Sequence, residues 1–262
     1  MSEQTQQNFE PSSGVAPQAP PGGAASSATW SDGALIRMRQ ITRVYQEGAL
    51  EVLALRGVDL DIEEGEFTAL AGPSGSGKTT LLNIIGVLDH PTSGRIEVAG
   101  QDIGRLGRGE GADFRLAKVG FIFQAYNLVP VLTAYENAEF TLLLRGVPAQ
   151  ERRSRVMPLL ERVQLADMKD RRPNELSGGQ QQRVAVVRAL ATQPAIVLAD
   201  EPTANLDSDT SAGLLDLMLE LNQELKTTFL FSTHDPVVIE RARRVVRLLD
   251  GRVTGAEAMA AD

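Results

Sequence analysis

The 262-residue chain has no cysteine. This removes disulfide frameworks and thiolate zinc sites, and permits a reducing compartment without establishing one. It has no run of about 20 apolar residues, the length needed to span a bilayer, and no cationic start leading into an apolar stretch. A spanning helix and a secretory signal are therefore not expected, and the chain reads as soluble or peripheral. The first 33 residues lack Lys and Arg altogether and carry Glu3, Glu10 and Asp32, which leaves −5 of the net charge of −8 for the remainder. Neither part has the basic balance of a nucleic-acid binder. No internal repeat is evident.

At 42% hydrophobic content the chain can bury a sizeable core. Residues 1–33 are rich in Gln, Ser, Ala, Pro and Gly, with Pro20, Pro21, Gly22 and Gly23 at their centre. Such a composition cannot repay the entropy of ordering, so a disordered tail is predicted. Trp30, the single tryptophan, stands at its end, where it either packs on the domain edge or stays exposed. From Leu35 onward come short β-type runs, 35–39, 51–54, 58–62 and 67–71, broken by Gly, Asp and Glu; they predict an antiparallel β region leading into the core. Uniformly apolar runs at 196–199 and 228–231 alternate with helical stretches, the mark of a parallel sheet covered on both faces. Between them a mostly helical segment forms an inserted lobe over about residues 125–192. A helix from Ala149 to Val163 is expected to break or kink at Pro158. The fold class is thus α/β, with one catalytic domain over 34–255.

The run 67–71 reads as a buried strand, and it passes directly into Gly72-Pro73-Ser74-Gly75-Ser76-Gly77-Lys78-Thr79-Thr80 and a helical stretch. Glycines let the backbone curl so that its N–H groups converge on phosphate oxygens, and the following helix points its positive end at the same place. In that frame Lys78 neutralises the β- and γ-phosphates and Thr79 offers its hydroxyl to Mg²⁺. The alternative, an ordinary turn, leaves the order of strand, loop, Lys-Thr and helix unexplained. The apolar run beginning at Ile196 ends in Asp200 and Glu201. A buried strand delivers such carboxylates to the sheet's ligand-binding end. Asp200 is positioned to hold the metal and Glu201 to polarise an attacking water, since phosphoryl transfer needs mainly positioning and charge compensation. Taken alone, the two acids could equally be a solvated pair at a strand end.

Leu176-Ser177-Gly178-Gly179-Gln180 is followed by Gln181-Gln182-Arg183 and an Ala-rich helical run. A Ser and two glycines at a helix start form a second anion site. The segment resembles the signature motif of ATP-binding cassette ATPases, and the resemblance extends over about residues 35–253. It implies a P-loop NTPase core, ATP and Mg²⁺ as ligands, and a head-to-tail homodimer in which Ser177, Gly178, Gly179 and Gln180 of one copy close over nucleotide held by the other. By the same resemblance Tyr45 stacks on adenine, with a plain core or edge tyrosine as the lesser alternative. Gln124 reaches Mg²⁺ and the water and joins the core to the lobe. The stretch Asn205-Leu206-Asp207 crosses the dimer interface, with Asp207 near the nucleotide. His234 contacts the γ-phosphate beside the catalytic Glu201. Ala204 departs from the Gly that the family often places before Asn-Leu-Asp, which touches only loop geometry.

Residues 120–130, 133–137 and 142–146 resemble the branch that holds lipoprotein-release, macrolide-export and cell-division ATPases. That implies a separate integral membrane permease as partner, with room for a periplasmic or adaptor protein. It also implies a peripheral place on the cytoplasmic face of the inner membrane, and a two-gene arrangement. Three rival functions stand beside it. A soluble cassette ATPase acting on DNA or ribosomes would be expected to show a coiled-coil insertion or a second cassette. A regulator of a non-transporting membrane partner would share the whole ATPase core. A small-molecule kinase would leave the signature and the Glu201/His234 pair unexplained.

Overall fold

A computed structural model describes residues 33–48 and 50–259. The predicted tail, Gly33 excepted, and Trp30 lie outside the described residues. Among the described residues ten strands form two sheets. The first is antiparallel, in the order β2-β1-β4-β5, from β1 (Ala34–Glu47), β2 (Leu50–Glu63), β4 (Ser93–Val98) and β5 (Gln101–Asp102). The second has the order β10-β9-β3-β8-β7-β6, from β3 (Phe67–Ala71), β6 (Val119–Phe123), β7 (Ile196–Asp200), β8 (Thr228–Thr233), β9 (Arg244–Leu249) and β10 (Arg252–Ala258). All its pairings are parallel except the β9–β10 hairpin.

The sequence reading is corrected at three places. Residues 67–71 belong to the parallel sheet, where β3 pairs with β8 and β9, rather than to the antiparallel one. All five residues of β3 are buried, a pattern that only a sheet covered on both faces sustains. Secondly, the runs 51–54 and 58–62 are one strand, and the run 35–39 continues to Glu47. The chain does not turn at the intervening breaks; it bulges. Gln40, at φ 51°, is an extra residue in β1, and its backbone and side-chain N–H groups both donate to Asp59. Shifts near Gly57 and Ala54 place extra residues in β2. Thirdly, the helix α4 (Ala149–Arg162) runs unbroken through Pro158. Its buried contacts, Val156 and Leu160, lie on the face away from the exposed proline, so the carbonyl that Pro158 cannot bond is left to solvent.

The helices α1 (Lys78–Ile85) and α2 (Arg108–Lys118) precede β6, while α3 (Ala134–Leu144), α4 and α5 (Gly178–Leu190) make up the stretch read as a helical lobe. The remaining two are α6 (Ser208–Leu225) and α7 (Pro236–Arg241). Alternation along the parallel strands divides the core. Val197, Ala199, Phe229 and Phe231 face α3 to α6 together with Phe67, while Ile196, Leu198 and Leu230 face α1 and the antiparallel sheet. Phe67, Phe229 and Phe231 are fully buried and mutually packed, each contributing roughly 1.5–3 kcal/mol of burial. Although α5 was read as lobe, its later turns lie on the sheet: a side chain at Gly120 of β6 would meet the Ala189 carbonyl at 2.6 Å. Among the described residues no helix is long and apolar enough to cross a membrane.

Candidate active site

At the end of β3 the chain turns into the loop 72–77 and then into α1. The loop lies flat on β9, and a Cβ at Gly72 would come within 2.2 Å of the Leu248 carbonyl. Gly77, at φ 101°, is the N-cap of α1, and no side chain caps that helix. Its leading N–H groups are therefore not taken by a capping group and face outward with the positive end of the helix dipole. Lys78 is only 6% exposed. Its ammonium donates to the carbonyls of Gly72 at 2.7 Å and Pro73 at 3.0 Å, which holds the charge over the loop. The loop is tied to its neighbours by Gly251 N–H to the Ser76 carbonyl at 3.0 Å and Arg56 N–H to the Gly251 carbonyl at 2.8 Å.

Strand β7 brings the two acids, and its neighbour β8 brings His234. Asp200 ends β7, and its Oδ1 accepts from the Thr79 hydroxyl at 3.3 Å. Glu201 follows with φ 46°, a left-handed backbone that a non-glycine residue adopts at a cost of order 1–3 kcal/mol, characteristic of functional turns. Its N–H donates to the Ser232 carbonyl at 2.9 Å, and its Oε1 lies 2.8 Å from His234 Nδ1. The geometry fits His234 donating from Nδ1 to the carboxylate, so that one side chain orients the other. Pro73, Ser74, Thr79, Gln124, Asp200, Glu201 and His234 line one pocket of about 470 Å³. An adjoining pocket of about 400 Å³ shares Ser74, Thr79 and Glu201 and extends over Gly75, Gly77, Lys78 and Thr80 to Val52 and Leu53.

The chemistry of the donor set fits Mg²⁺ at this point. Among the described residues no three His, Asp or Glu side chains converge as a metal cage. The Thr79 hydroxyl beside one Asp200 carboxylate is instead the sparse oxygen set suited to a cation that keeps water and takes substrate phosphate as ligands.

Other expected site residues lie elsewhere. Tyr45 does not line either pocket; its hydroxyl donates to Asp89 at 2.7 Å, and the Arg43 guanidinium, itself paired with Asp89 at 2.8 Å, stands 4.4 Å over the ring. Ser177, Gly178, Gly179 and Gln180 open α5 and are absent from both pocket linings. There the Ser177 hydroxyl accepts from Gln180 N–H at 3.3 Å, and Gln180 Oε1 accepts from Ser177 N–H at 2.9 Å, a reciprocal cap. Asp207 caps α6 by accepting from the N–H of Thr210 at 2.9 Å and its hydroxyl at 2.7 Å. Those two bonds, the N–H first, hold its carboxyl below the usual range.

Sequence reasoning missed several supporting contacts. Asn205 Nδ2 donates to the Gln124 carbonyl at 2.8 Å, and Thr203 Oγ1 to Asp235 at 3.1 Å, so the loops after β6, β7 and β8 are bonded to one another. Gln182 is fully buried in α5, and its amide reaches two of those loops. The available signal was a Gln sharing the buried face with Val186 and Ala189 at helical spacing. Also missed was an apolar groove of about 370 Å³ between α2, β6, α3 and α5, lined by Leu88, Leu116, Phe121, Phe140 and Leu144, with Arg115 and Arg188 beside them. Leu88 is 50% and Leu144 61% exposed there. Both guanidiniums donate to backbone carbonyls, Arg115 to Val87 and Arg188 to Tyr126 and Asn127, and burial lowers the pKa of Arg188.

Residues 55–204 match the family model described as ABC transporter. The chain is 48% identical to the macrolide export ATP-binding/permease protein MacB 1/2 of Paracoccus denitrificans, over 84% of this chain and 33% of that protein. It is 43% identical to the lipoprotein-releasing system ATP-binding protein LolD of Pseudoalteromonas translucida, over 84% of this chain and 95% of that one. The chain thus spans about a third of the first relative and nearly all of the second. Among solved structures, the dimeric post-hydrolysis state of the ATP-binding cassette MJ0796 bound to ADP and Pi superposes with a TM-score of 0.79 at 42% identity, covering 87% of this chain and all of that one.

Proposed function

The chain belongs to the ABC transporter family and carries its ATPase domain, and from that premise we propose that it hydrolyses ATP as a homodimer to drive a separate integral membrane permease. The relatives favour export or extraction of an amphiphile, a lipoprotein or a macrolide, and a peripheral place on the cytoplasmic face of the inner membrane. The observation that carries the reading is the convergence of Lys78, Thr79, Asp200, Glu201 and His234 on two adjoining pockets at the end of the parallel sheet.

In this reading the loop 72–77 and the free start of α1 receive the phosphates, and Lys78 exchanges its two carbonyl partners for phosphate oxygens. Thr79, Asp200 and Gln124 hold Mg²⁺, which when bound offsets phosphate charge. Glu201, held by His234, orients water for in-line attack, and most of the rate comes from such positioning and charge compensation. Tyr45 stacks on adenine from the neighbouring strand pair. Ser177 to Gln180 stand apart from the pockets of their own copy, which supports their closing over nucleotide bound to the other, with Asp207 at the seam. ATP must favour the closed pair more than ADP does for hydrolysis to reopen it. The permease docks on the helical lobe at the apolar groove beside Leu88 and Leu144, whose exposure supports a covering partner.

The test is purification of the tagged chain from its native membranes in mild detergent, with identification of what accompanies it. A stoichiometric multi-spanning protein with an extracytoplasmic domain is expected. Recovery alone, or with ribosomal or DNA-associated proteins, removes the permease and leaves only the ATPase chemistry.

A further inference from the structure

The loop that carries Gln124 is held at each carbonyl from Phe123 to Asn127. The Phe123 carbonyl accepts from Tyr126 N–H at 3.2 Å and from Gln182 Nε2 at 3.4 Å, and that of Gln124 from Asn205 Nδ2 at 2.8 Å. The Ala125 carbonyl accepts from Asn127 N–H at 2.6 Å, and those of Tyr126 and Asn127 from Arg188 at 2.8 and 2.5 Å. Two of these donors, Gln182 and Arg188, sit on α5. Of these two, Gln182 also reaches the loop that carries Glu201, to which Asn205 itself belongs: its Nε2 donates to the carbonyl of Pro202, next to Glu201, at 2.7 Å. One amide nitrogen therefore touches the residue before Gln124 and the residue after Glu201.

The cost of that placement is visible. Gln182 is fully buried, and its Oε1 has no hydrogen-bond partner among the described residues. The orientation is fixed by chemistry, because turning the amide over would aim Oε1 at two carbonyls. A buried polar group kept half satisfied on a helix face otherwise made of Val and Ala calls for a role beyond packing.

We propose that Gln182 is a positioning residue for hydrolysis, tying the Gln124 and Glu201 loops to α5 so that movement at Ser177 to Gln180 shifts both loops together. This rests on the catalytic roles proposed above for Glu201 and Gln124. Arg188 anchors the far half of the first loop, whereas Gln182 sets the two reacting groups against each other.

The experiment is steady-state ATPase kinetics of the full chain with Gln182→Met and Gln182→Glu, run beside Glu201→Gln, with a melting curve for each. Gln182→Met keeps the volume and removes the donors; kcat should fall on the order of tenfold with KM for ATP held within about twofold, the signature of lost geometry rather than lost binding. In Gln182→Glu burial raises the carboxyl pKa, and only the protonated acid can donate to the Pro202 carbonyl. Its deficit relative to the unaltered chain should therefore shrink as pH falls from about 8.5 to about 6. An unchanged kcat in Gln182→Met overturns the proposal. So does a KM that worsens in step with kcat, or a Gln182→Glu deficit that is the same at every pH. If Gln182→Met does not fold, the pH profile decides. Full turnover in Glu201→Gln would overturn the underlying catalytic reading instead, whatever the Gln182 variants do.

Discussion

Two helices in this chain begin at the segments proposed above to meet nucleotide phosphate, and they begin differently. Helix α1 starts at Gly77 with no side-chain cap, so its N–H groups are open and Lys78 stands over them. Helix α5 starts at Ser177, and its own Ser177 and Gln180 close the first turn reciprocally. The first start is a receptor that leaves its donors uncommitted, and the second is a self-supporting surface stable without a ligand. That difference suits one end to holding nucleotide within a subunit and the other to meeting nucleotide presented by a second copy.

The sharpest way to break the contrast is at the chemistry beside α1. Lys78→Ala and Glu201→Gln should each lower ATP turnover by on the order of 10³-fold, but only Lys78→Ala should weaken nucleotide binding, while Glu201→Gln accumulates as an ATP-bound dimer on a sizing column. On the α5 side, Ser177→Arg should abolish turnover and leave equilibrium nucleotide binding by one subunit unchanged; loss of both together would remove the division of labour. Backbone substitutions come next. Gly77→Ala forces a side chain into left-handed backbone 2.8 Å from the Ala54 carbonyl and should cost about 2 kcal/mol in chemical denaturation. Gly179→Ala meets only the Thr210 methyl, at 2.5 Å, and should cost less, with recovery when Thr210 is shortened to Ser. Ser177→Ala, which removes the cap without adding bulk, should cost about 1 kcal/mol. The smallest effect is at Asp207. Its carboxyl is depressed in the folded chain, so its contribution is present above the ordinary value of 3.8 and lost as pH falls through the folded value. Asp207→Asn should therefore lower stability slightly across the neutral range, where that contribution is present, and flatten the dependence of stability on pH below about pH 4.

The linear motifs were legible because their chemistry is local. Gly72 to Thr80, Asp200-Glu201 and His234 each sit at the end of a strand that the sequence marks as buried, so finding the strands finds most of the pocket. What escaped depends on partners distant in the chain. Nothing around Tyr45 announces Asp89 and Arg43, nothing around Gln124 announces Asn205, and the groove is assembled from four separate elements. No break occurs at Pro158, because the effect of a proline depends on which side of the helix faces water. The breaks in β1 and β2 were read as turns because a bulge and a turn use the same residues, and only the partner strand distinguishes them.

Those bulges have a further effect. At Ala34 the partner is Glu63; past the shifts that follow in both strands, Tyr45 faces Val52. The two pairings carry the same offset, so the extra residues of β1 and those of β2 cancel. The hairpin thus behaves as a gear train with matched teeth: its middle runs out of phase, near where the Ala54 carbonyl lies against Gly77 and Gly251, while its tip stays in phase with its base. Deleting one residue from a single strand would rotate Tyr45 to the opposite side of the sheet, and deleting one from each would return it. Alignment of the ring is therefore a property of the pair of strands, written in neither alone.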